Sequence, residues 1–454
     1  MQSIFAENAL LPDGWAANVN VRIGDDGRMT EVATNAAADT AAARVPVLLP
    51  AVSNLHSHTF QRAMAGLAER RGPSERDSFW TWREVMYRFL DVLTPDEIEA
   101  IAALAFVEML EAGFAAVAEF HYLHNRPGGA HYDDIGELAV RIAAAASQSG
   151  IGLTLLPVYY RQGGVDGRPL KGGQLRFAND LDSFGSLVAR SREIAAAAAG
   201  DTGFGIAPHS LRAVPPADLA ELAGWQPQLP LHMHIAEQEA EIEETLAVLK
   251  GRPVEWLLGN HDVDDRWCLI HCTHMTPDEA SRLGASGAVA GLCPITEANL
   301  GDGIFDAPTF LKPAGNFGVG SDSNISISVA GELRQLEYSQ RLRDRARVVL
   351  AEPKQSAGRR LYLGALSGGM RALNRNSGEI AAGRWADLVA LSAGELSAFG
   401  DKDLVLDEWI FTGGAQVRDV WAAGRHMVRD GEHVSSGAIR ARYRKVLESL
   451  GSRL

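Results

Sequence analysis

The sequence predicts a (β/α)8 barrel of the TIM type, with a small β domain built from the two ends of the chain. Short apolar runs alternate with longer helical stretches between about residues 50 and 374, which is the pattern of parallel βα units. Strand-like segments broken by turns come before this region and return after about residue 378. We therefore expect a barrel over 50–377, flanked by parts of one β domain at 1–49 and 378–454.

The first segment holds short strands and no long helix. Its strand candidates are SIFAENALL, ANVNVRI and VPVLLP, with the turn GDDG after the second. Barrel strands are then predicted from the runs AAVAEF, IGLTLLPVYY, GFGIAP, LPLHMHI, WCLIHC, GAVAGLCP and FGVGSDS. With VPVLLP counted, these runs give roughly eight strand candidates, which favours a closed barrel over a short open sheet.

The helices between these runs have recognisable ends. One helix begins after Thr94 as its N-cap and carries Asp96 and Glu97 in its first turn. It ends at Gly113, and another helix begins after Thr276. Beyond the barrel, the segments SGEIAAGRWADLVAL and VRDVWAAGRHMVRDG are predicted to contain strands. The final helix is SGAIRARYRKVLESL, and its basic side is interpreted as a solvated face.

Composition excludes several classes of partner. The 454 residues include 43 Lys and Arg against 57 Asp and Glu, a net charge of −14, which offers no basic surface to nucleic acid or an anionic membrane. No apolar run approaches the roughly 20 residues of a spanning helix, and the first residues do not resemble a secretory leader. Three cysteines are too few for a disulfide framework. We expect a cytoplasmic enzyme that acts on a small molecule.

The first two motifs place polar side chains at predicted strand ends. His56 and His58 form an HxH pair after an apolar run, and side chains two apart on a strand point the same way. His234 ends another run, and Glu237 follows where the chain turns into an acidic helix. The acids after Glu237 are interpreted as an ordinary helix start. His232, deeper in the same strand, is interpreted as a core histidine.

Two later strand ends complete the pattern. His271 falls inside the run WCLIHC, whereas His274 belongs to the loop after it. Asp322 places a carboxylate after the last predicted barrel strand. A lone histidine in a packed core is more often hydrogen-bonded than bound to metal. The order HxH, HxxE, H and D at four strand ends nevertheless indicates an active site, because barrel enzymes assemble theirs from C-terminal strand ends.

This arrangement resembles the amidohydrolase superfamily, in particular its deaminase-like members with one metal. The resemblance covers nearly the whole chain and implies a β-sandwich made from both chain ends. It also implies a divalent metal bound by four residues: His56, His58, His234 and Asp322. One Zn²⁺ per chain is expected, because no lysine stands at an early strand end to bridge two metals. Fe²⁺ or Mn²⁺ would accept the same types of ligand.

The resemblance further implies a hydrolytic reaction. A bound Zn²⁺ lowers the pKa of its water to about 7 and so supplies a nucleophile at neutral pH. His271 would orient this water and, with Asp322, accept its proton, while Glu237 would carry a proton to the departing nitrogen. Such chemistry suits hydrolytic deamination, and amide hydrolysis by the same attack is the alternative.

Six segments resemble the formimidoylglutamate deiminase family more specifically: NLHSHTFQRAMAG, FWTWREVMY, AEFHYLH, APHSLRAV, LHMHIAEQ and GLCPITEANLGDG. In that family, N-formimino-L-glutamate and water give N-formyl-L-glutamate and ammonia during bacterial histidine degradation. The resemblance implies that Gln61 and Tyr122 contact the formimino end or the backbone of this dicarboxylate. His209 and Arg212 would bind the glutamate portion, and Arg83 is a candidate for the second carboxylate.

Two other functions stay open at this stage. A deaminase of an aminated heterocycle, guanine-like or triazine-like, would favour an aromatic stacking wall and need no arginine. A catalytically silent barrel that only binds metal is disfavoured, because Glu237 and His271 accompany a complete ligand set. The resemblance also implies a homodimer. Trp80 and Trp82 are interpreted as packing residues of a lid or an interface.

Overall fold

The computed structural model describes residues 2–37, 42–71 and 79–454, in which strands and helices alternate through most of the chain. The strands are β1 (Gln2–Leu11), β2 (Gly14–Ile23), β3 (Met29–Ala33), β4 (Ala43–Pro50), β5 (Val52–Ser57), β6 (Phe114–His121), β7 (Gly152–Tyr159), β8 (Gly203–Phe204), β9 (Ala207–Pro208), β10 (Leu231–Ile235), β11 (Trp267–His271), β12 (Val289–Leu292), β13 (Asn316–Val319), β14 (Leu388–Leu391), β15 (Val417–Ala422), β16 (Arg425–Arg429) and β17 (Glu432–His433). The α-helices are α1 (Phe79–Leu90), α2 (Pro95–Glu111), α3 (Glu137–Ser149), α4 (Leu181–Ala197), α5 (Pro216–Gly224), α6 (Glu239–Leu249), α7 (Pro253–Asn260), α8 (Pro277–Ala285), α9 (Pro294–Leu300), α10 (Ala307–Leu311), α11 (Val329–Asp344), α12 (Ala357–Ala372), α13 (Leu404–Asp407) and α14 (Ser436–Gly451).

Strands from both chain ends form one sheet, in the order β17-β16-β15-β14-β4-β1-β2-β3. Its neighbours pair antiparallel, except for β1 and β4, which run parallel. Side chains alternate along these strands, so that Val19, Val21 and Ile23 share one buried face. This face packs against residues such as Leu388 and Trp421 in a core separate from that of the barrel.

The barrel is built from parallel strands in two sets. One set runs β5-β6-β7-β8, with β9 also paired to β7, and the other runs β10-β11-β12-β13. A parallel bridge between Ile206 and Leu231 joins the sets at one side, and a bridge between Ser57 and Asp322 joins them at the other. Because β8 and β9 occupy one position, the closed barrel has eight strand positions. The predicted fold class is confirmed.

One strand assignment was wrong. The run VPVLLP was counted among the barrel strands, but it forms most of β4, which pairs with β1 and β14 in the outer sheet. The first barrel strand is β5, which itself carries the HxH motif. Only Ala51 separates the two strands, and its backbone N–H donates to the carbonyl of Asp387 outside the barrel. Because the strands are nearly continuous and their last and first residues are buried alike, periodicity alone does not separate them.

The helix ends agree with the predictions, but the surroundings of the last helix differ from them. Thr94 caps α2 in a capping box with Glu97, and Thr276 caps α8 in the same way with Glu279. The basic side of α14 was interpreted as solvated. Instead, Arg440 pairs with Glu111 at 2.6 Å and Arg442 pairs with Glu99 at 2.7 Å, both on α2.

Among the described residues, none of the helices combines the length and the apolar character needed to cross a bilayer. Most barrel strands are buried along their whole length, and every residue of β6 and β7 is buried. Such strands, covered on both faces, are typical of parallel α/β folds.

Candidate active site

The sequence-predicted residues converge on one cavity that is open to solvent at the C-terminal ends of the barrel strands. Its wall includes His58, Gln61, Arg83, Tyr122, His209, Arg212, His234, Glu237 and Asp322. His56 and His271 lie next to this wall, with ring centroids 4.8 and 5.6 Å from that of His234. The structure therefore brings together the residues predicted for metal binding, proton transfer and substrate contact.

Four buried side chains form a compact cluster of candidate metal ligands. His56, His58, His234 and Asp322 each offer one ligand atom, and these atoms all lie within 4.8 Å of one another. Nε2 of His56 is 3.1 Å from Nε2 of His58 and 3.1 Å from Nε2 of His234. Oδ1 of Asp322 is 3.2 Å from Nε2 of His56 and 3.3 Å from Nε2 of His58.

The hydrogen bonds and the burial of these rings favour their neutral form, which suits a bound cation. Nδ1 of His58 and Nδ1 of His234 each lie 3.1 Å from a backbone carbonyl oxygen, those of Phe120 and His209. A neutral ring that donates through Nδ1 carries a lone pair on Nε2. Burial and the neighbouring His58 lower the pKa of His56 to about 3, and burial also lowers the pKa of His58 and His234. The converging lone pairs and carboxylate therefore fit a divalent metal.

The backbone is bent sharply where these residues leave their strands. His271, Asp322 and Ala236, the residue before Glu237, have left-handed φ values of +73°, +43° and +52°. Non-glycine residues in this conformation are uncommon and concentrate at functional sites. Gly320 lets β13 approach β5, because a Cβ there would lie 2.7 Å from the carbonyl oxygen of His56.

A second group of side chains can hold protons beside the cluster. Nε2 of His271 is 3.8 Å from Oε1 of Glu237, and its Nδ1 is 3.3 Å from Oε1 of Glu297. Burial alone would lower the pKa of His271, but the carboxylates of Glu237, Glu297 and Asp322 outweigh it and raise the pKa to about 10. His271 thus lies between the carboxyl groups of Glu237 and Glu297, one near each ring nitrogen.

Arg212, which follows β9, contacts this group from the neighbouring strand end. Its Nη2 donates to Oε2 of Glu237 at 2.6 Å, and its Nε is 3.5 Å from Oε2 of Glu241. The Arg212 side chain is only 13% exposed, so water screens its charge from the two carboxylates only weakly. Burial raises the pKa of Glu241, and the positive charge of Arg212 opposes that increase.

The rest of the cavity wall combines polar and aromatic side chains. Nε2 of Gln61 donates to the hydroxyl of Tyr122 at 2.8 Å. The Arg83 guanidinium lies 5.5 Å from the ring of Trp80 and 5.1 Å from that of Tyr87. Other aromatic side chains on the wall are Phe79, Trp82, Tyr160 and Phe177. Trp80 and Trp82 therefore face the cavity, where the sequence indicated only a lid or an interface.

Two other histidines from the same motifs lie outside the cavity wall. His232 is completely buried, and its Nε2 lies 2.8 Å from the carbonyl oxygen of Ala372 on α12. It is therefore a core histidine, as its deeper position in the strand predicted. His274 lies in the turn after β11, and its backbone N–H donates to the carbonyl of Ala236.

Sequence reasoning missed two buried glutamates that support the site. Glu241 was interpreted as part of an ordinary helix start, yet its side chain is fully buried against Arg212. Glu297 was not singled out, although its Oε1 accepts the backbone N–H of Cys293 at 2.8 Å and faces His271. Both lie in the first turn of a helix that follows a barrel strand, where acidic residues are common without a catalytic reason.

Comparison with protein families gives two matches that together cover most of the chain. Residues 47–427 match the model described as the amidohydrolase family. Residues 1–44 match the model described as the N-terminal domain of formimidoylglutamate deiminase HutF. The N-terminal match includes β1, β2 and β3 of the outer sheet, which precede all the cavity residues in the sequence.

Individual relatives agree with this grouping. The chain is 51% identical to formimidoylglutamate deiminase from Pseudomonas aeruginosa over 437 residues, which is 95% of this chain and 96% of that protein. It is 30% identical to 8-oxoguanine deaminase from the same organism, over 89% of this chain and 87% of that one. An amidohydrolase crystal structure from Brucella melitensis superposes with a TM-score of 0.95 at 47% identity, covering 99% of this chain and 100% of that chain. The chain therefore belongs to the amidohydrolase family and, within it, to the formimidoylglutamate deiminases.

Proposed function

We propose that the protein hydrolyses N-formimino-L-glutamate to N-formyl-L-glutamate and ammonia, a step of histidine degradation. The observation that carries this proposal is that one cavity combines the candidate metal ligands, the carboxylate of Glu237 and the guanidinium of Arg212. The 51% identity to a formimidoylglutamate deiminase over 95% of the chain supports the choice of substrate. The product and ammonia balance the reaction, because water supplies the oxygen of the new formyl group.

The metal is proposed to be one Zn²⁺ per chain, held by His56, His58, His234 and Asp322. Three imidazole nitrogens and one carboxylate suit zinc, and Fe²⁺ or Mn²⁺ share these ligand types. When bound, a divalent cation makes water nucleophilic at neutral pH. Glu237 and Glu297 lie outside this ligand set.

Proton movements are assigned to three side chains. The proton of the attacking water passes to Asp322 and His271, since both face the ligand cluster. The positive charge of a bound metal would oppose the carboxylates that raise the pKa of His271 and would let this ring accept a proton. Glu237 delivers a proton to the departing nitrogen, so that ammonia leaves as a neutral molecule. Glu297 orients the His271 ring through the 3.3 Å contact between its Oε1 and Nδ1 of the histidine.

Substrate contacts are assigned along the rest of the wall. Gln61 and Tyr122 lie beside the ligand cluster and are proposed to contact the formimino group or the adjoining backbone. His209 and Arg212 would bind one carboxylate of the glutamate portion, and Arg83 the second. Guanidinium groups suit this role because they donate parallel hydrogen bonds to a carboxylate.

A heterocycle deaminase is the competing function, because the cavity has an aromatic wall, whereas its arginines favour the dicarboxylate. The test is ammonia release from N-formimino-L-glutamate and from guanine, by wild type and by Arg212→Met. We expect turnover of N-formimino-L-glutamate only, with kcat/KM lowered roughly 100-fold or more in the variant, because a buried charge partner is lost. Arg190→Met, which removes an arginine that pairs with Asp134 on the surface, is the control.

Either of two results would contradict the proposal. Turnover of guanine that is indifferent to Arg212→Met would favour the heterocycle deaminase. A protein that binds metal yet releases no ammonia from amidines, amides or aminated rings would be a catalytically silent barrel.

We further propose that the protein is a homodimer and lies in the cytoplasm. Sedimentation of the purified protein tests the oligomeric state.

A further inference from the structure

Glu241 is a fully buried glutamate next to the candidate active site. It lies in the first turn of α6, and its side chain has 0% exposure. Glutamate is almost never fully buried unless it is paired, because an ionised carboxylate loses its hydration. The partners of Glu241 therefore indicate what the buried charge does.

Its two oxygens bind the backbone on either side of the turn that presents Glu237. Oε1 accepts the N–H of Ala236 at 3.0 Å, and Oε2 accepts the N–H of Glu237 itself at 3.2 Å. Ala236 has a φ of +52°, which is strained for a residue with a Cβ. Glu241 thus holds the bent segment from which the Glu237 side chain projects.

The same carboxylate also faces Arg212, which follows the neighbouring strand. Oε2 of Glu241 is 3.5 Å from Nε of Arg212, while Nη2 of Arg212 donates to Oε2 of Glu237 at 2.6 Å. Arg212 comes after β9, and Glu237 comes after β10. One guanidinium edge therefore meets two carboxylates, and three residues from neighbouring strand ends form a closed set of contacts.

We propose that Glu241 is a positioning residue that holds Glu237 and Arg212 at a set separation, so that a carboxylate bound at Arg212 places the substrate nitrogen at Glu237. This inference rests on the proposed function. Glu241 touches no reacting atom and acts through the other two side chains. Its removal should therefore impair the catalytic step more than it impairs substrate binding.

The test is steady-state kinetics of the Glu241→Gln holoenzyme on N-formimino-L-glutamate. An amide places an N–H group against one of the two backbone N–H donors and removes the charge behind Arg212. We expect kcat to fall roughly 10- to 100-fold, as small misplacements of catalytic groups do. KM should change by less than about threefold, because Arg212 keeps its charge and its bond to Glu237.

Glu337 offers a matched control elsewhere in the barrel. Its side chain also has 0% exposure, accepts the backbone N–H groups of the consecutive residues Val349 and Leu350, and pairs with Nε of Arg341. Glu337→Gln therefore removes the same set of contacts without touching the cavity. We expect it to lower thermal stability about as much as Glu241→Gln and to leave kcat within about twofold of wild type.

The outcomes separate the two proposals. If wild type releases no ammonia from N-formimino-L-glutamate, the proposed function fails. If wild type is active but the two Glu→Gln variants lose the same activity, or Glu241→Gln raises KM without lowering kcat, the positioning role is wrong. Should Glu241→Gln not yield folded holoenzyme, Glu241→Asp takes its place. It keeps the charge but withdraws it from the backbone, and a wild-type kcat would overturn the inference.

Discussion

At the scale of single residues, the proposed metal site would combine one anionic ligand with three neutral histidines. The histidine rings are neutral, since burial lowers the pKa of each. Asp322 is therefore the only ligand whose charge opposes that of a divalent cation. Its backbone N–H and carbonyl also pair with His56 and His58, which fixes the distance between the two strand ends.

Asp322→Asn should consequently bind metal much more weakly. We expect affinity to fall at least roughly 100-fold, which is the upper range for loss of a group that merely supports a ligand. Metal content after dialysis against a chelator measures this. Asp302→Asn, which alters a buried carboxyl group outside the cluster, should keep its metal. Equal retention by Asp322→Asn and wild type would contradict the proposed ligand set.

The sequence could locate these residues because each strand end is marked twice. An apolar run ends and a polar residue follows, as at His58, Glu237 and Asp322. Glu241 and Glu297 lack such a mark, because an acid in the first turn of a helix is explained equally well by the helix dipole. Only the burial of their side chains distinguishes them, and burial depends on how distant segments pack.

At the scale of elements, helix α2 connects several parts of the molecule. It packs against α3 and α14, and the acids along it pair with Arg440 and Arg442. Its start is fixed by Thr94, whose backbone N–H donates to Oε2 of Glu97 at 3.0 Å. The reciprocal contact, from the N–H of Glu97 to Oγ1 of Thr94, completes the capping box.

Thr94→Ala should therefore destabilise the fold without affecting the site. We expect a loss of about 1 kcal/mol in the free energy of unfolding, since one N–H group loses its acceptor. Urea unfolding followed by circular dichroism gives this difference, and Thr94→Ser should recover most of it. An Ala variant as stable as wild type would show that packing of α2, not its cap, determines where the helix begins.

Sequence patterns were reliable for elements with clear ends and unreliable where two elements adjoin. Capping residues identified the starts of α2 and α8 because a cap needs only local hydrogen bonds. The boundary between β4 and β5 was missed, because the choice of sheet depends on pairing with β14, more than 300 residues away. The acidic partners of α14 were missed for the same reason.

At the scale of the whole molecule, a buried ion network joins the barrel to the outer sheet. Arg375, after α12, pairs with Asp387 at 2.6 Å and with Asp201 at 2.9 Å. Arg425 on β16 also pairs with Asp201, at 2.8 Å. The side chains of Asp201, Arg375 and Asp387 are at most 3% exposed, whereas that of Arg425 is 35% exposed at the edge of the network.

The network should make stability depend on acid pH. Burial alone would raise the pKa of Asp201, but hydrogen bonds from Arg425 and the charge of Arg375 outweigh it and lower the pKa below its usual value. A lowered folded-state pKa contributes stability above about pH 4 that is lost as the pH falls further. Asp201→Asn should lose about 3 kcal/mol at pH 7 and show a smaller additional loss in acid. Identical pH profiles for variant and wild type would show that Asp201 does not carry the dependence.

Glu237 is proposed to transfer a proton in a metal site that deaminates N-formimino-L-glutamate. The most direct test measures ammonia release and metal content on the same samples of wild type and Glu237→Gln. We expect turnover with about one zinc per chain, and a kcat lowered roughly 1,000-fold in the variant while its metal is retained. A variant that releases ammonia at the wild-type rate, or a metal-loaded wild type that releases none, would contradict it.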